Sequence, residues 1–86
     1  MRIEKKTWPD FFERVLSGDK NYEVRLADFD CKEGDVLVLK ECDPETKEYT
    51  GRVIEKTVSY VLKTKDIKFW PQEEVNKHGF QFMAFK

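Results

Sequence analysis

Leu16-Ser17-Gly18-Asp19-Lys20-Asn21-Tyr22-Glu23-Val24-Arg25-Leu26 joins the best helix signal in the chain to one of its best strand signals. On its N-terminal side, Thr7-Trp8-Pro9-Asp10 reads as a helix start. Thr7 can accept from a first-turn N–H, Pro9 has no donor to leave unpaired there, and Asp10 sits near the positive helix end. Trp8, Phe11, Phe12, Val15 and Leu16 recur at the spacing of a single helical face, and Gly18 is placed to cap the helix in the left-handed conformation. So short a helix needs a sheet to pack on. On the C-terminal side, Tyr22, Val24 and Leu26 alternate with Glu23 and Arg25. That alternation predicts a strand with one apolar face and one face carrying a carboxylate and a guanidinium.

Working outward, Arg2 to Lys6 around Ile3 reads as a first short strand. After the central stretch, Asp28 to Asp35 is a loop ending in the tight turn Glu33-Gly34-Asp35. Val36-Leu37-Val38-Leu39 is apolar on both parities, as in a strand buried on both faces. Asp43 to Glu48 forms a hairpin loop, with Pro44 presetting its backbone. From Tyr49 to Leu62 the chain is β-rich, and Gly51 with the mixed parity of Val53 and Ile54 predicts a bulge that curls the sheet. A basic connection, Lys63 to Lys68, leads to Phe69-Trp70, and Pro71 to Gly79 reads as a short helix with Pro at its start and Gly at its end. Phe80 to Phe85 is the closing strand. The expected fold is α+β, one domain over residues 1–86, with a curled sheet or small open barrel and helices at its ends.

Composition limits the function. A chain of 86 residues buries only roughly 60–65% of the surface its unfolded form exposes. Its seven Phe, two Trp and three Tyr supply the large side chains such a core needs. Charged residues make up 38% of the chain but leave a net charge of −1. That balance argues against an indiscriminate grip on a phosphate backbone and leaves room only for a local basic patch. Cys31 and Cys42 with the single His78 are too few for a structural zinc site, so no metal or other cofactor is expected, and the cysteines read as reduced. No apolar run reaches the roughly 18–20 residues that span a bilayer, and no signal peptide opens the chain. A cytoplasmic monomer without membrane contact is the expectation.

The charges around the central stretch are the main chemical signal. Glu23 and Arg25 share a strand face roughly 7 Å apart, while Lys20 lies in the turn before them. Lysine and arginine could hold a phosphate or carboxylate, with Glu23 orienting them, accepting from a base amine or acting as a general base. The plain alternative is a solvated strand face with surface ion pairs of about 0–1 kcal/mol each. Trp8, Trp70, Tyr49 and Tyr60 could stack bases or fill the core, with core the commoner fate. Lys5, Lys6, Lys63, Lys65 and Lys68 could rim a site or simply be solvated. His78 has no partner spacing for catalysis, and the four glycines form no phosphate loop.

Gly18-Asp19-Lys20-Asn21-Tyr22-Glu23-Val24-Arg25 resembles the G-x-K-x-x-E-x-R signature of the ASCH family, within the wider PUA-like superfamily. Glu33-Gly34-Asp35-Val36-Leu37 resembles the K-x-G-D step that follows it there, and Tyr49-Thr50-Gly51-Arg52 is similar to a prokaryotic and phage ASCH-like branch. The resemblance implies a PUA-like mixed β-barrel with one main N-terminal helix and a short C-terminal helix. It implies a cleft that binds RNA or a nucleotide-like small molecule, lined by Lys20, Glu23 and Arg25; from the aromatic and basic residues read above, Trp8 and Lys6 are the further candidates for nucleic-acid binding. Some ASCH relatives hydrolyse the acetyl amide of acetylated cytidine and others cut RNA; for such an enzyme Lys20 and Glu23 would be the catalytic pair. In the amidohydrolase branch a threonine stands three residues after the motif lysine, where this chain has Glu23, and a further acid falls near Glu73 or Glu74. A protein-interaction domain in which the motif serves only stability is the remaining alternative.

Overall fold

The computed structural model describes residues 1–66, 73, 76 and 79–86. Strand β1 (Arg2–Thr7) leads into helix α1 (Pro9–Ser17), followed by β2 (Tyr22–Leu26), β3 (Val36–Cys42), β4 (Tyr49–Lys63), a 3-10 turn (Thr64–Asp66) and β5 (Phe80–Phe85). Helix α1 starts on Pro9 and ends where Gly18, at φ 88°, donates its N–H to the Val15 carbonyl at 3.2 Å. Its N-cap is Trp8, which makes no side-chain cap bond. Thr7, the expected cap, is the last residue of β1 instead.

The strands form one five-stranded mixed sheet in the order β1-β3-β4-β5-β2. β1 runs parallel to β3, as the helical crossover α1 and strand β2 between them allow, and the other neighbours are antiparallel. β4 is long enough to serve two partners: residues 49–57 pair with β3 and 58–63 with β5. Register shifts mark both halves, one between Lys40 and Cys42 opposite Gly51 (φ 97°) and one between Val58 and Tyr60. The bulge expected at Gly51 is present, and the second bulge lets β4 turn from one set of partners to the other.

The expected barrel is not formed. The sheet is open, with β1 and β2 as its edges and no strand pairing between them. The physical reason lies at the two edges, where side chains occupy the backbone groups that a closing ladder would use: Lys20 Nζ donates to the Tyr22 carbonyl at 2.8 Å, and Arg25 Nη2 to the Lys6 carbonyl at 2.6 Å. The architecture also holds one α-helix and a 3-10 turn among the described residues, rather than two helices. Most of the segment read as a short helix over 71–79 lies outside those residues.

The core gathers Val15, Cys31, Leu37, Leu39, Val58 and Met83, with Ile3, Phe29, Ile54, Val61 and Phe85 packed against it. Leu37, Val38 and Leu39 are all buried, as their double parity predicts. The helix differs from its pattern: Phe12 and Val15 enter the core, while Trp8, Phe11 and Leu16 stay exposed. Tyr49 and Tyr60 are exposed rather than core, and Trp70 lies outside the described residues.

The largest departure is in β2. Glu23 is paired with Met83 and Arg25 with Gln81, and both partners are fully buried on the concave side. The polar face of β2 therefore points into the fold, and Tyr22, Val24 and Leu26 are left on the convex, exposed side. Alternation fixes that the two sets of side chains part company, but not which set goes inward.

Candidate functional site

Glu23 is 4% exposed and accepts a cation on each carboxylate oxygen. Lys20 Nζ lies 2.7 Å from Oε1, and Arg25 Nε lies 2.7 Å from Oε2. The two cations reach it by different routes. Arg25 stands two residues along the same strand face, whereas Lys20 comes from the turn after Gly18 and wraps round the free edge of β2 to meet Glu23 from the side. Two backbone bonds fix that turn: Gly18 N–H to the Val15 carbonyl, and Lys20 N–H to the Arg14 carbonyl at 2.9 Å. Arg25 Nη2 then crosses to β1, bonding the Lys6 carbonyl and lying 3.5 Å from Thr7 Oγ1. Three motif residues, two edge strands and the helix start are thus tied into one cluster. It carries one net positive charge.

Around this cluster opens a cleft of about 440 Å³, lined by Lys6, Thr7, Trp8, Phe11 and the residues from Lys20 and Tyr22 to Arg25. Its aromatic wall is Trp8 stacked against Phe11 at 6.4 Å, and the Lys20 ammonium lies 6.0 Å from the Phe11 ring and 5.0 Å from the Tyr22 ring. The strand edge adds backbone groups. Phe85 N–H bonds the Asn21 carbonyl and Ala27 N–H the Gly79 carbonyl, so the odd-numbered residues of β2 face β5. Tyr22, Val24 and Leu26 therefore turn their N–H and C=O groups to the free edge, where Tyr22 and Val24 meet the cleft. An ammonium has three donors and a guanidinium five. Among the described residues Lys20 uses two in hydrogen bonds, and Arg25 engages Nε and Nη2. Such a cleft can hold a flat apolar ring beside an anionic or carbonyl oxygen.

Lys6 belongs to the cleft chiefly through its carbonyl, because its ammonium sits 5.9 Å from the Tyr49 ring. Lys5 lies on the concave side, 3.6 Å above the Phe29 ring. Lys63 and Lys65 lie at the far end of β4 and in the 3-10 turn, away from the cleft residues. Lys68, His78 and Glu74 lie outside the described residues, and Glu73 is exposed. Both cysteines are free and buried, and burial, reinforced by Asp35, pushes the Cys31 thiol up. Among the described residues no group of three His, Cys, Asp or Glu side chains could hold a metal ion, and no helix is long and apolar enough to cross a membrane.

A second ion cluster was not singled out from the sequence. Glu41, 5% exposed on β3, receives Arg52 Nε and Nη2, both at 2.9 Å, and the Thr50 hydroxyl at 2.6 Å. Arg52 also pairs with Glu13 of α1, and its guanidinium lies 4.8 Å from the Phe12 ring. The Arg52 guanidinium, helped by Thr50, holds the Glu41 carboxyl down at about 2. Thr7 and Glu41 are register partners, so this cluster backs the floor of the cleft from the next strand and fastens α1 to the sheet. Its one sequence signal is the Thr50-Gly51-Arg52 step, where the bulge turns Thr50 and Arg52 toward the same acceptor.

With this geometry in hand, comparison with known proteins places the chain. The profile of a family described as a domain of unknown function, DUF3850, matches residues 4–73. The chain belongs to the DUF3850 family. The DUF3850 match takes in every residue of both ion clusters. Among solved structures, this DUF3850 chain is similar to the crystal structure titled hypothetical protein PH0355, with a TM-score of 0.68 and 16% identity over 100% of this chain and 98% of that one. At that identity the likeness shows a shared fold. No curated protein matches the chain.

Proposed function

We propose that the cleft binds a nucleotide or a short single-stranded RNA segment, with a base against Trp8 and Phe11 and an oxygen-rich group at Lys20 and Arg25. One observation carries this: residues scattered over two edge strands, a turn and a helix start converge on a single open cleft that joins an exposed aromatic wall to a positive cluster. The resemblance of Gly18–Arg25 to the ASCH signature supports the same ligand class. Aromatic stacking accepts any base, while the two cations favour phosphate over a neutral ring. Glu23 acts as a brace in this arrangement. Each of its oxygens holds a cation and the side chain is buried, so it sets the spacing of Lys20 and Arg25 rather than reading a base.

Intrinsic tryptophan fluorescence titrations with mononucleotides and with short RNA oligomers, at several salt concentrations, test this. Trp8→Phe tests the wall by an independent binding readout such as polarisation of labelled RNA, and Trp8→Ala should weaken binding by about 1–3 kcal/mol, roughly 5- to 150-fold. Lys20→Ala and Arg25→Ala should each weaken binding and reduce the salt slope by about one. No binding at low salt, or binding that none of these substitutions moves, refutes the proposal. Incubation with acetylated cytidine runs in parallel: product that disappears in Lys20→Ala and Glu23→Gln would make the pair catalytic instead.

A further inference from the structure

We propose that the convex face of β2, β5 and the end of β4 is the interface of a homodimer. The face follows from the inward turn of Glu23 and Arg25, which leaves the apolar residues of β2 outside. Its register rows are Tyr22, Ala84 and Tyr60, then Val24, Phe82 and Leu62, then Leu26 and Phe80. Not one of these positions is charged, in a chain that is 38% charged. Tyr22, Val24, Leu26, Tyr60, Leu62, Phe80 and Phe82 are each between 37% and 54% exposed. Taken against about 150–250 Å² for a large aromatic side chain, and less for Val and Leu, they present roughly 500–600 Å² of contiguous apolar surface, at the top of the range for a monomer.

The area and the absence of charge select the occupant. A standard interface takes about 800 Å² from each partner, of which about 65% is apolar in homodimers, or about 520 Å². The patch supplies that apolar share by itself. A second copy needs only self-complementarity about a two-fold axis, and two such sheet faces stack about 10 Å apart with their side chains interdigitated. A patch without charges has no means of choosing a partner of opposite sign, and a net charge of −1 puts little repulsion between copies. This departs from the monomer expected from sequence. It does not depend on the cleft binding anything.

Sedimentation velocity over a wide concentration range tests the proposal without ligand. Wild type should sediment as a dimer that dissociates on dilution. Leu26→Glu with Phe82→Glu should raise the dissociation constant at least tenfold and leave circular dichroism unchanged, because both side chains face solvent in the single chain. Should that pair fail to fold, Leu26→Gln with Phe80→Gln probes the same face. A wild type that stays monomeric at high micromolar concentration overturns the proposal, as does a dimer indifferent to the substitutions. A monomer that floats with phosphatidylcholine vesicles would overturn it in favour of a lipid surface.

Discussion

Replacing Glu23 by Gln removes one charge from the most constrained point of the site. The substitution keeps size and shape, so its effect is electrostatic. Gln can accept from one of the two cations through its carbonyl oxygen, but its amide then turns two N–H donors toward the other. Either Lys20 or Arg25 loses its partner and faces a donor. Breaking a fully buried ion pair costs about 3–5 kcal/mol, mostly from the charge left behind. Here the side chains of Lys20 and Arg25 keep 16% and 27% exposure, so the orphaned cation can partly rehydrate by moving toward the cleft. A loss of about 2–3 kcal/mol is therefore expected at neutral pH, corresponding to a fall in Tm of about 10–20 °C for a domain of this size. Urea unfolding followed by circular dichroism, with the slope checked for constancy, measures it. Lys20→Met tests the geometry behind the number, since it leaves Glu23 still held by Arg25 and should be the milder change. A Glu23→Gln unfolding free energy within about 0.5 kcal/mol of wild type, the range of ordinary surface substitutions, would refute the brace.

Acid sensitivity should trace to Glu41. Its carboxyl is lowered from 4.5 to about 2 by Arg52 and Thr50, so its contribution is fully present above 4.5 and disappears as pH falls toward 2. Asp35 is lowered in the same sense by the Lys32 N–H and the N-terminal ammonium, and Glu55 by Arg2. Urea midpoints should thus fall between pH 5 and pH 2, and Glu41→Gln should lose part of that fall; identical profiles would count against the assignment. In the core, Leu37→Ala removes a side chain with no exposure and should destabilise by about 2–5 kcal/mol, read from the same urea titration.

Local signals were legible where one physical cause dominates. Pro9 and Gly18 bound the helix because one lacks a donor where none is needed and the other tolerates a positive φ. Val36–Leu39 announced a doubly buried strand because both parities are apolar. Legibility ended where the outcome depends on what lies opposite. The alternation in β2 specified two faces, but Met83 and Gln81 across the ladder decided which became the inside. For the helix, the pattern showed an apolar stripe, but not that packing on the sheet would cover Phe12 and Val15 and leave Trp8 and Phe11 exposed. Thr7 looked like a cap and became the end of a strand. The Glu41 cluster required knowing that the bulge at Gly51 aims Thr50 and Arg52 at one carboxylate. Spacing put Glu23 and Arg25 on one strand face, and it did not show that Glu23 is buried between Lys20 and Arg25.

The inward charges of β2 and the open sheet have one cause. The free edges of β1 and β2 each carry backbone groups that need partners, and the 2.6 Å bond from Arg25 to the Lys6 carbonyl shows how close the two edges come. Side chains satisfy them instead: Lys20 caps the Tyr22 carbonyl and Arg25 takes the Lys6 carbonyl. Two cations so placed would repel each other, and Glu23 between them removes that repulsion while filling the interior position that strand parity assigns to it. The K-x-x-E-x-R spacing then acquires a structural meaning. The turn residue reaches round the edge, the first inward residue of the strand anchors both cations, and the second inward residue crosses to the opposite edge. The gap between the edges stays lined with side chains, with Trp8 and Phe11 on its rim, and that gap is the cleft. Apolar residues at 23 and 25 would leave the edge carbonyls to find water or each other, and the space that now holds the site would have no reason to remain open.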